Sequence, residues 1–446
     1  MTLRDDTSRR LHRIVLDRQR DGRIPGVFAG VLRDGGLLWQ DGVGSASLDD
    51  PGTPPDEDHQ FLIASNTKTF TAAMVMQLRD EGRLSLDDTL DVLVPEVARP
   101  GLTIRQCLSH VSGMQREPLG DVWEELVFPD RAQLVEEFNQ VERVHPPHRL
   151  WHYSNLAYSM LGEVVARLDA REWAESLRVR LLEPLEMRRT TVGFDGRHAD
   201  GYFVPPYTDV PVHQPANDLR AMDPCGGLAS TGADLAKWSA FVADPPPEVL
   251  SPDTLEEMCQ PQIMIDRERW TAAMGLGFFL HRSGTRTYVG HTGGMPGHIT
   301  ALFTDREART GAVVLTSSGT TPDITGFALA LADHVTDQEP ALPEPWRPGT
   351  SVPDELRDLV GVWWTEGSPF EFSVRQGRLE ARAPSLPRHK PSSRFEQLEP
   401  DLFRTVAGRE EGELLRVTRD ADGVPTKLSW ATYLCTRAPL AFGERP

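Results

Sequence analysis

"GLGFFLHRSGTRTYVGHTGGMPGHITALFTDREARTGAVVLTS", residues 275 to 317, decides the fold class. Four apolar runs of strand length lie in it: "GLGFFLHR", "RTYVGHTG", "HITALFT" and "GAVVLTS". Ser283-Gly284-Thr285, Gly293 to Gly297 and Asp305 to Arg309 separate them, so three consecutive antiparallel connections are expected. A helical pattern follows at 323 to 336 ("DITGFALALADHVT"), and strands and helices segregate instead of alternating. This predicts an α+β fold, an antiparallel sheet flanked by helices, over a doubly wound one.

Outward from this run, "GVFAGVLRDGGLLWQDGVG" (26 to 44) reads as a hairpin turned at Asp34-Gly35-Gly36. An amphipathic helix precedes it at 8 to 20. Between about 100 and 240 the pattern is mostly helical, broken by Pro and Gly, and a helical subdomain is expected over roughly 75 to 240. The proline-rich "EPALPEPWRPGTSVPDE" (339 to 355) reads as a linker from a first domain, 1 to 338, to a second, 356 to 446. That second segment alternates short strand patterns ("FEFSVRQ", "RLEARA", "LFRTVAG", "LLRVTRD", "KLSWATY") with turns and predicts a small all-β barrel or sandwich.

Composition narrows the function. At 446 residues the chain is long enough for two or more cores. Its formal net charge of −19 is spread along the chain, so the surface repels phosphate backbones and nucleic acid is not expected as a partner. The first 26 residues mix both charge signs and lack an apolar h-region, and no apolar run of about 18 residues occurs. A cytoplasmic address without membrane partners is the expectation. Cys107, Cys225, Cys259 and Cys435 are widely spaced, with no CxxC pair and no nearby His ligand pattern. They read as buried free thiols; no metal and no cofactor is expected. Oligomeric state leaves no trace in the sequence.

The chemistry concentrates at three places. In "FLIASNTKTFTAAMVMQL" (61 to 78), Lys68 stands three residues after Ser65 at the mouth of a helix that is apolar nearly all round. Of 47 basic residues only four are lysines, Lys68, Lys237, Lys390 and Lys427, and only Lys68 has a serine three positions before it. Residues three apart share a helix face, so hydroxyl and amine can meet. Serine needs an adjacent base to act as a nucleophile, and a desolvated lysine can give up its proton whereas a guanidinium cannot. In "RLWHYSNLAYSMLG" (149 to 162), Tyr153 and Asn155 project to one side of an extended or turn backbone, offering a proton shuttle and an amide. In "VGHTGGMPGH" (289 to 298), His291 and Thr292 precede Gly293 and Gly294, where bare backbone lets a substrate approach a strand edge. Read singly, each has a bland counterpart: a serine N-cap before a solvated lysine, an aromatic turn packed before a helix, a strand turned at two glycines.

In the order Ser65-x-x-Lys68, Tyr153-x-Asn155, His291-Thr292-Gly293, the chain resembles the serine β-lactamase and penicillin-binding protein superfamily. The Tyr-x-Asn form is similar to the class C β-lactamase branch, with its family VIII-type esterases, DD-peptidases and D-aminopeptidases. "LSHVSGM" (108 to 114), "EPLEM" (183 to 187) and "GGLASTGADLAKW" (226 to 238) support the resemblance, which covers about residues 10 to 335. It implies Ser65 as acylated nucleophile, Lys68 as its base and Tyr153 as proton shuttle. It also implies Asn155 holding a substrate carbonyl and the backbone N–H groups of Ser65 and Gly294 as oxyanion hole, with His291, Thr292, Gly293 and Gly294 in the binding site. No asparagine lies four residues after a glutamate, so the E-x-x-x-N pattern of class A deacylation is absent and Lys68 and Tyr153 are left to handle the water. The barrel opening at "LVGVWW" (359 to 364) looks lipocalin-like and reads as a lid or substrate-shaping domain.

Position 291 departs from the pattern. Class C enzymes and most DD-peptidases carry lysine there, whereas an ordinary histidine is mostly neutral at pH 7 and titrates between about pH 5 and 8. Weaker recognition of substrate carboxylates and a pH-sensitive activity are therefore expected. The sequence thus points to a serine hydrolase cleaving a small ester or amide through an acyl-serine. A D-amino-acid peptidase or acyltransferase is the alternative within enzymes, and a penicillin-recognising sensor or scaffold the alternative outside them.

Overall fold

The computed structural model describes residues 3–342, 345–349, 351–365, 367–387 and 390–440. Residues 343, 344 and 350 of the expected linker lie outside the described residues. The chain divides into two compact units, Met1–Ala341 and Leu342–Pro446.

The first unit is built on one antiparallel sheet. Its strands are β1 (Gly26–Arg33), β2 (Gly36–Gly44), β3 (Ile263–Met264), β4 (Ala272–Met274), β5 (Phe279–Ser283), β6 (Arg286–Met295), β7 (His298–Asp305) and β8 (Thr310–Thr316). They lie side by side in the order β2-β1-β8-β7-β6-β5-β4-β3. The N-terminal hairpin closes on the last strand, Val27 opposite Thr316 and Arg33 opposite Thr310, so the ends of the unit's chain meet in mid-sheet. The α+β reading and the run of antiparallel connections hold. The short strands β3 and β4 went unread, because two or three residues carry no period-2 signal.

Alternation along the strands explains why these runs are apolar throughout. Val27, Ala29 and Val31 of β1, with Ala312 and Val314 of β8, pack beneath α1 (Asp5–Gly22) and the C-terminal helix Ile324–Gln338, through Leu11, Val15, Phe327, Leu331 and Val335. Phe28, Leu32, Val313 and Leu315 face the other way, into the larger core shared with the helices between β2 and β3. A sheet covered on both faces has no solvent side to write as polar. Burial of each such side chain stabilises the fold by about 1.5–3 kcal/mol.

The centre of the larger core is α2 (Thr67–Asp80). Every residue from Thr67 to Leu78 is buried, Lys68 included. Phe70 stacks on Trp238 at 3.7 Å, and Trp238 donates to Thr69 Oγ1 at 3.0 Å. Beside it runs α3 (Asn155–Asp169), also buried along most of its length. A two-stranded piece, Gly201–Phe203 with Val212–Gln214, interrupts the region expected to be helical, its strands again too short to announce themselves.

The second unit is a closed antiparallel barrel of β9 (Gly361–Thr365), β10 (Ser368–Arg375), β11 (Arg378–Arg382), β12 (Ser393–Glu399), β13 (Leu402–Ala407), β14 (Leu414–Arg419), β15 (Pro425–Trp430) and β16 (Tyr433–Thr436). Each strand pairs with the next and β9 with β16, which leaves no free edge. Trp363, Phe370, Phe372, Phe395, Phe403 and Trp430 belong to its buried core. "KLSWATY", expected as one strand, turns at Ala431, whose φ of 52° places Tyr433 back opposite Trp430. Among the described residues no helix is long and apolar enough to cross a membrane.

Candidate active site

Ser65 sits in a 3-10 turn, Ala64–Asn66, that runs directly into α2, not on the α-helix itself. Ala64 enters this turn with φ of 48°, a left-handed conformation that costs a residue with a Cβ about 1–2 kcal/mol. The turn is held from behind: Asn66 Nδ2 donates to Ile63 O and to Thr300 Oγ1 on β7. Strand β6 lies against it at Gly293, where a Cβ would fall 2.0 Å from Ile63 O and 2.6 Å from Thr300 Oγ1. Gly293, expected in the binding site, is therefore a buried packing position. Its neighbours Thr292 and Gly294 line the cleft and it does not.

Lys68 Nζ lies under the cleft floor, fully buried, with three neighbours: Ser65 Oγ at 3.1 Å, Asn155 Oδ1 at 2.7 Å and Cys225 O at 2.6 Å. The rings of Tyr153 and Tyr158 flank it, with centroids 4.8 and 5.6 Å away. No carboxylate is among these partners. The carbonyl of Cys225 comes from a short turn, Asp223–Gly226, braced on α2 through Thr71 Oγ1 to Pro224 O at 2.7 Å.

Asn155 is the first residue of α3, and Ser154 caps that helix by accepting from Ala157 N. Its carboxamide is committed at both ends, Oδ1 to Lys68 and Nδ2 to Glu117 Oε1 at 2.7 Å. Nδ2 has a second N–H beyond the one given to Glu117, and Asn155 lines the cleft, so holding a substrate carbonyl stays a proposal for it. Glu117 reaches it because residues 115–117 are stitched to the start of α3: Arg116 O accepts from Asn155 N and Leu156 N, and Gln115 O accepts from Ser154 Oγ.

A cleft of about 600 Å³ opens over Ser65. Tyr153, Asn155, His291, Thr292 and Gly294 line it together with Arg116, Glu117, Trp123, Trp151 and Phe279, none of which the motifs had singled out. The Arg116-Glu117 pair is two of 113 charged residues and carries no periodicity, so only its distance in space from Asn155 marks it. Tyr153 is propped from behind by His110, ring centroids 4.3 Å apart; His110 Nδ1 accepts from Ser154 N.

His291 stacks on Phe279 at 4.3 Å, and its Nδ1 lies 2.5 Å from Thr292 O. Burial, reinforced by the Lys68 charge, pushes its pKa down to about 3. It stays neutral from pH 5 to 8, which overturns the expectation that its titration makes activity pH-sensitive there. Burial holds His110 well below the ordinary value too, and pushes His298 down to about 3. The stability consequence has a definite sign. Below about pH 6.5 the unfolded chain protonates these three histidines more readily than the folded chain does, so each contributes a loss of stability as the pH falls. Asp223, raised to about 7 by burial, opposes them by one proton. Urea denaturation at pH 7, 6 and 5 should show stability falling as the pH falls; equal stability at pH 7 and 5 would contradict buried neutral histidines.

Compared with known proteins, residues 11–335 match the family described as Beta-lactamase, and 352–437 match a domain of unknown function (DUF7586). Beta-lactamase-like protein 2 of Dictyostelium discoideum is 29% identical over 263 residues, 56% of this chain and 48% of that protein. The chain spans about half the length of the curated relatives it matches. Among solved structures, the octameric penicillin-binding protein homologue from Pyrococcus abyssi aligns over 96% of this chain and 99% of its own, with a TM-score of 0.66 at 22% identity. The D-amino acid amidase from Ochrobactrum anthropi SV3, complexed with D-phenylalanine, aligns over 75% of this chain and 99% of its own, with a TM-score of 0.62 at 24% identity.

Proposed function

The chain belongs to the beta-lactamase family, and from that premise we propose that it is a serine hydrolase cleaving small amides or esters through an acyl-serine at Ser65. The observation that carries the reading is the setting of Lys68: fully buried, 3.1 Å from Ser65 Oγ and surrounded by neutral acceptors. A neutral lysine amine has two N–H groups and one lone pair. In the amine form that a base requires, Asn155 Oδ1 and Cys225 O take the two N–H groups and the lone pair is left for the Ser65 hydroxyl.

Attack then proceeds with Ser65 Oγ bonding the substrate carbonyl carbon as its proton passes to Lys68 Nζ. The carbonyl oxygen takes up the negative charge, held by the backbone N–H groups of Ser65 and Gly294. The intermediate collapses, the bond to the leaving amine or alkoxide breaks, and that group departs with the Lys68 proton relayed by Tyr153. Water reverses the sequence: it loses a proton through the same pair, attacks the acyl carbon, and the acid leaves as Ser65 regains its hydrogen. Asn155 keeps the amine oriented, and Glu117 fixes which end of that amide faces Lys68.

The amidase named among the structural neighbours makes amino acid amides the first substrates to try, with short-chain esters beside them. Turnover of an amide or ester, together with an intact-mass increase equal to the acyl group in quenched samples, is the expected result. Turnover without any acyl adduct under rapid quench, or with the adduct elsewhere than Ser65, would sink the reading. A cytoplasmic placement and a lipocalin-like kinship of the barrel belong to the same proposal.

A further inference from the structure

A second cavity, of about 270 Å³, takes no part in the chemistry at Ser65 but shares two walls with the elements that hold Lys68. The first is α3. Asn155 at its start gives Oδ1 to Lys68, and Ser159, Gly162, Glu163 and Ala166, at helical spacing along the same face, line the cavity. The second is the turn Asp223–Gly226, which presents Asp223 and Pro224 to the cavity and, one residue on, the Cys225 carbonyl to Lys68. Pro224 is wedged against α3, where a Cβ at Gly162 would fall 2.1 Å from its Cγ.

The charges of the lining do not balance: Asp130, Glu163, Glu172 and Asp223 face two guanidiniums, Arg131 and Arg220. Arg131 is taken by Glu163 and Glu172, and Arg220 stands 3.7 Å from Asp130. Asp223 is left over. Among the described residues nothing donates to its carboxylate, and burial with the Asp218 charge raises its pKa to about 7. A donor on the same wall is idle too: Trp173 is 6% exposed and its Nε1–H has no acceptor. The pyrrole edge that carries it faces α3, with Cδ1 3.4 Å from the place of a Cβ at Gly162. Buried polar groups are ordinarily paired, so an unpaired acid and an unpaired donor in one cavity ask for a ligand that serves both.

We propose that this cavity is a second ligand site, outside the catalytic cleft, for a small amino alcohol: its ammonium on the Asp223 carboxylate, its oxygen accepting from Trp173 Nε1, and its hydrocarbon against Leu134, Ala166 and Pro224. An anion would meet an excess of carboxylates, and a ligand without an amine would leave Asp223 unpaired. Occupancy acts on the base from behind, because both protein groups that orient Lys68, Asn155 Oδ1 and Cys225 O, are carried by walls of the cavity. A bound ligand therefore changes kcat without competing for the cleft. That effect on rate rests on the acyl-serine reading; the binding does not.

The test uses the full chain and leucinol, which has no acyl group to transfer, beside isopentylamine, which lacks the oxygen, and 4-methylpentan-1-ol, which lacks the amine. In calorimetric titration leucinol should bind tightest, the amine about 3- to 10-fold more weakly and the alcohol about 10- to 100-fold more weakly, the scales of one neutral and one charge-assisted hydrogen bond. Asp223→Asn should erase the advantage of leucinol over the alcohol, and Trp173→Phe its advantage over the amine. Should the variants fail to fold, the ranking on wild type decides. With an activated ester at saturation, leucinol should shift kcat at least about twofold, the low end of site-to-site coupling, and the shift should vanish in Asp223→Asn. No binding of leucinol up to about 10 mM, equal affinity for the three compounds, or binding unchanged in Asp223→Asn overturns the proposal. So does an effect on rate that excess substrate relieves, which places leucinol in the cleft, or a kcat that saturating leucinol leaves unaltered. If the ranking holds and no ester or amide is turned over, the site stands and the acyl-serine reading alone fails.

Discussion

Ser65→Ala should abolish turnover of amides and activated esters, by at least about a thousandfold in kcat, while the protein stays folded. Removing one hydroxyl from a position half-open to the cleft creates almost no cavity. Lys68 keeps Asn155 Oδ1 and Cys225 O as partners. The thermal midpoint is therefore expected within a few degrees of wild type, and the two readouts together separate lost chemistry from lost structure. Some activity over the solution rate should persist if the backbone donors polarise a bound carbonyl for attack by water. A variant retaining a tenth of the wild-type rate would mean that Ser65 is not the nucleophile. The left-handed Ala64 bears on the same result, since strain of this kind persists where the surrounding structure over-determines it. Asn66 to Thr300 and the close approach at Gly293 are that surrounding structure, and neither depends on the Ser65 side chain.

What the sequence disclosed and what it withheld follow a physical division. Strands β6 to β8 were legible because both their faces are buried and each run is bounded by turn residues. The pairing of β1 with β8 is not legible, since nothing in residues 26 to 33 names a partner almost 300 positions away. Ser65, Lys68, Tyr153 and Asn155 stood out through residue type and spacing, lysine and asparagine being scarce in this chain. Glu117 did not stand out. Its meaning lies in one oxygen bonded and one oxygen bare, a distinction made by three-dimensional packing of residues 115–117 on α3. His291 departs from an ordinary histidine because an ordinary pKa presumes solvent that the stacked Phe279 ring and the strand remove. Gly293 was read as a place for substrate approach. It is instead a place for backbone approach, and a glycine's sequence cannot say which.

Lys68→Arg is the sharper experiment, because it keeps nitrogen donors at this position and removes the capacity to lose a proton. Three short contacts within 3.1 Å surround a single tetrahedral nitrogen. A planar guanidinium is longer by an atom layer, carries five donors in a fork, and cannot aim one lone pair at Ser65 while two N–H groups point at carbonyl oxygens. In a fully enclosed position the extra volume is expected to cost about 1–3 kcal/mol of stability, and the loss of a base should lower kcat by at least about a thousandfold. Lys68→Met keeps length and apolarity without the nitrogen and leaves Asn155 Oδ1 and Cys225 O unpaired, so it should lose activity equally while differing in stability. The informative outcome is the rate in Lys68→Arg at high pH. A lysine base makes this variant inactive at every pH, since arginine stays protonated. Activity returning in Lys68→Arg as pH rises through the range of a phenol would transfer the base role to Tyr153 and leave Lys68 as a fixed positive charge. Inactivity throughout, with folding retained, ties the scarcity of lysine in this chain to its one buried use: a cation was not what position 68 required.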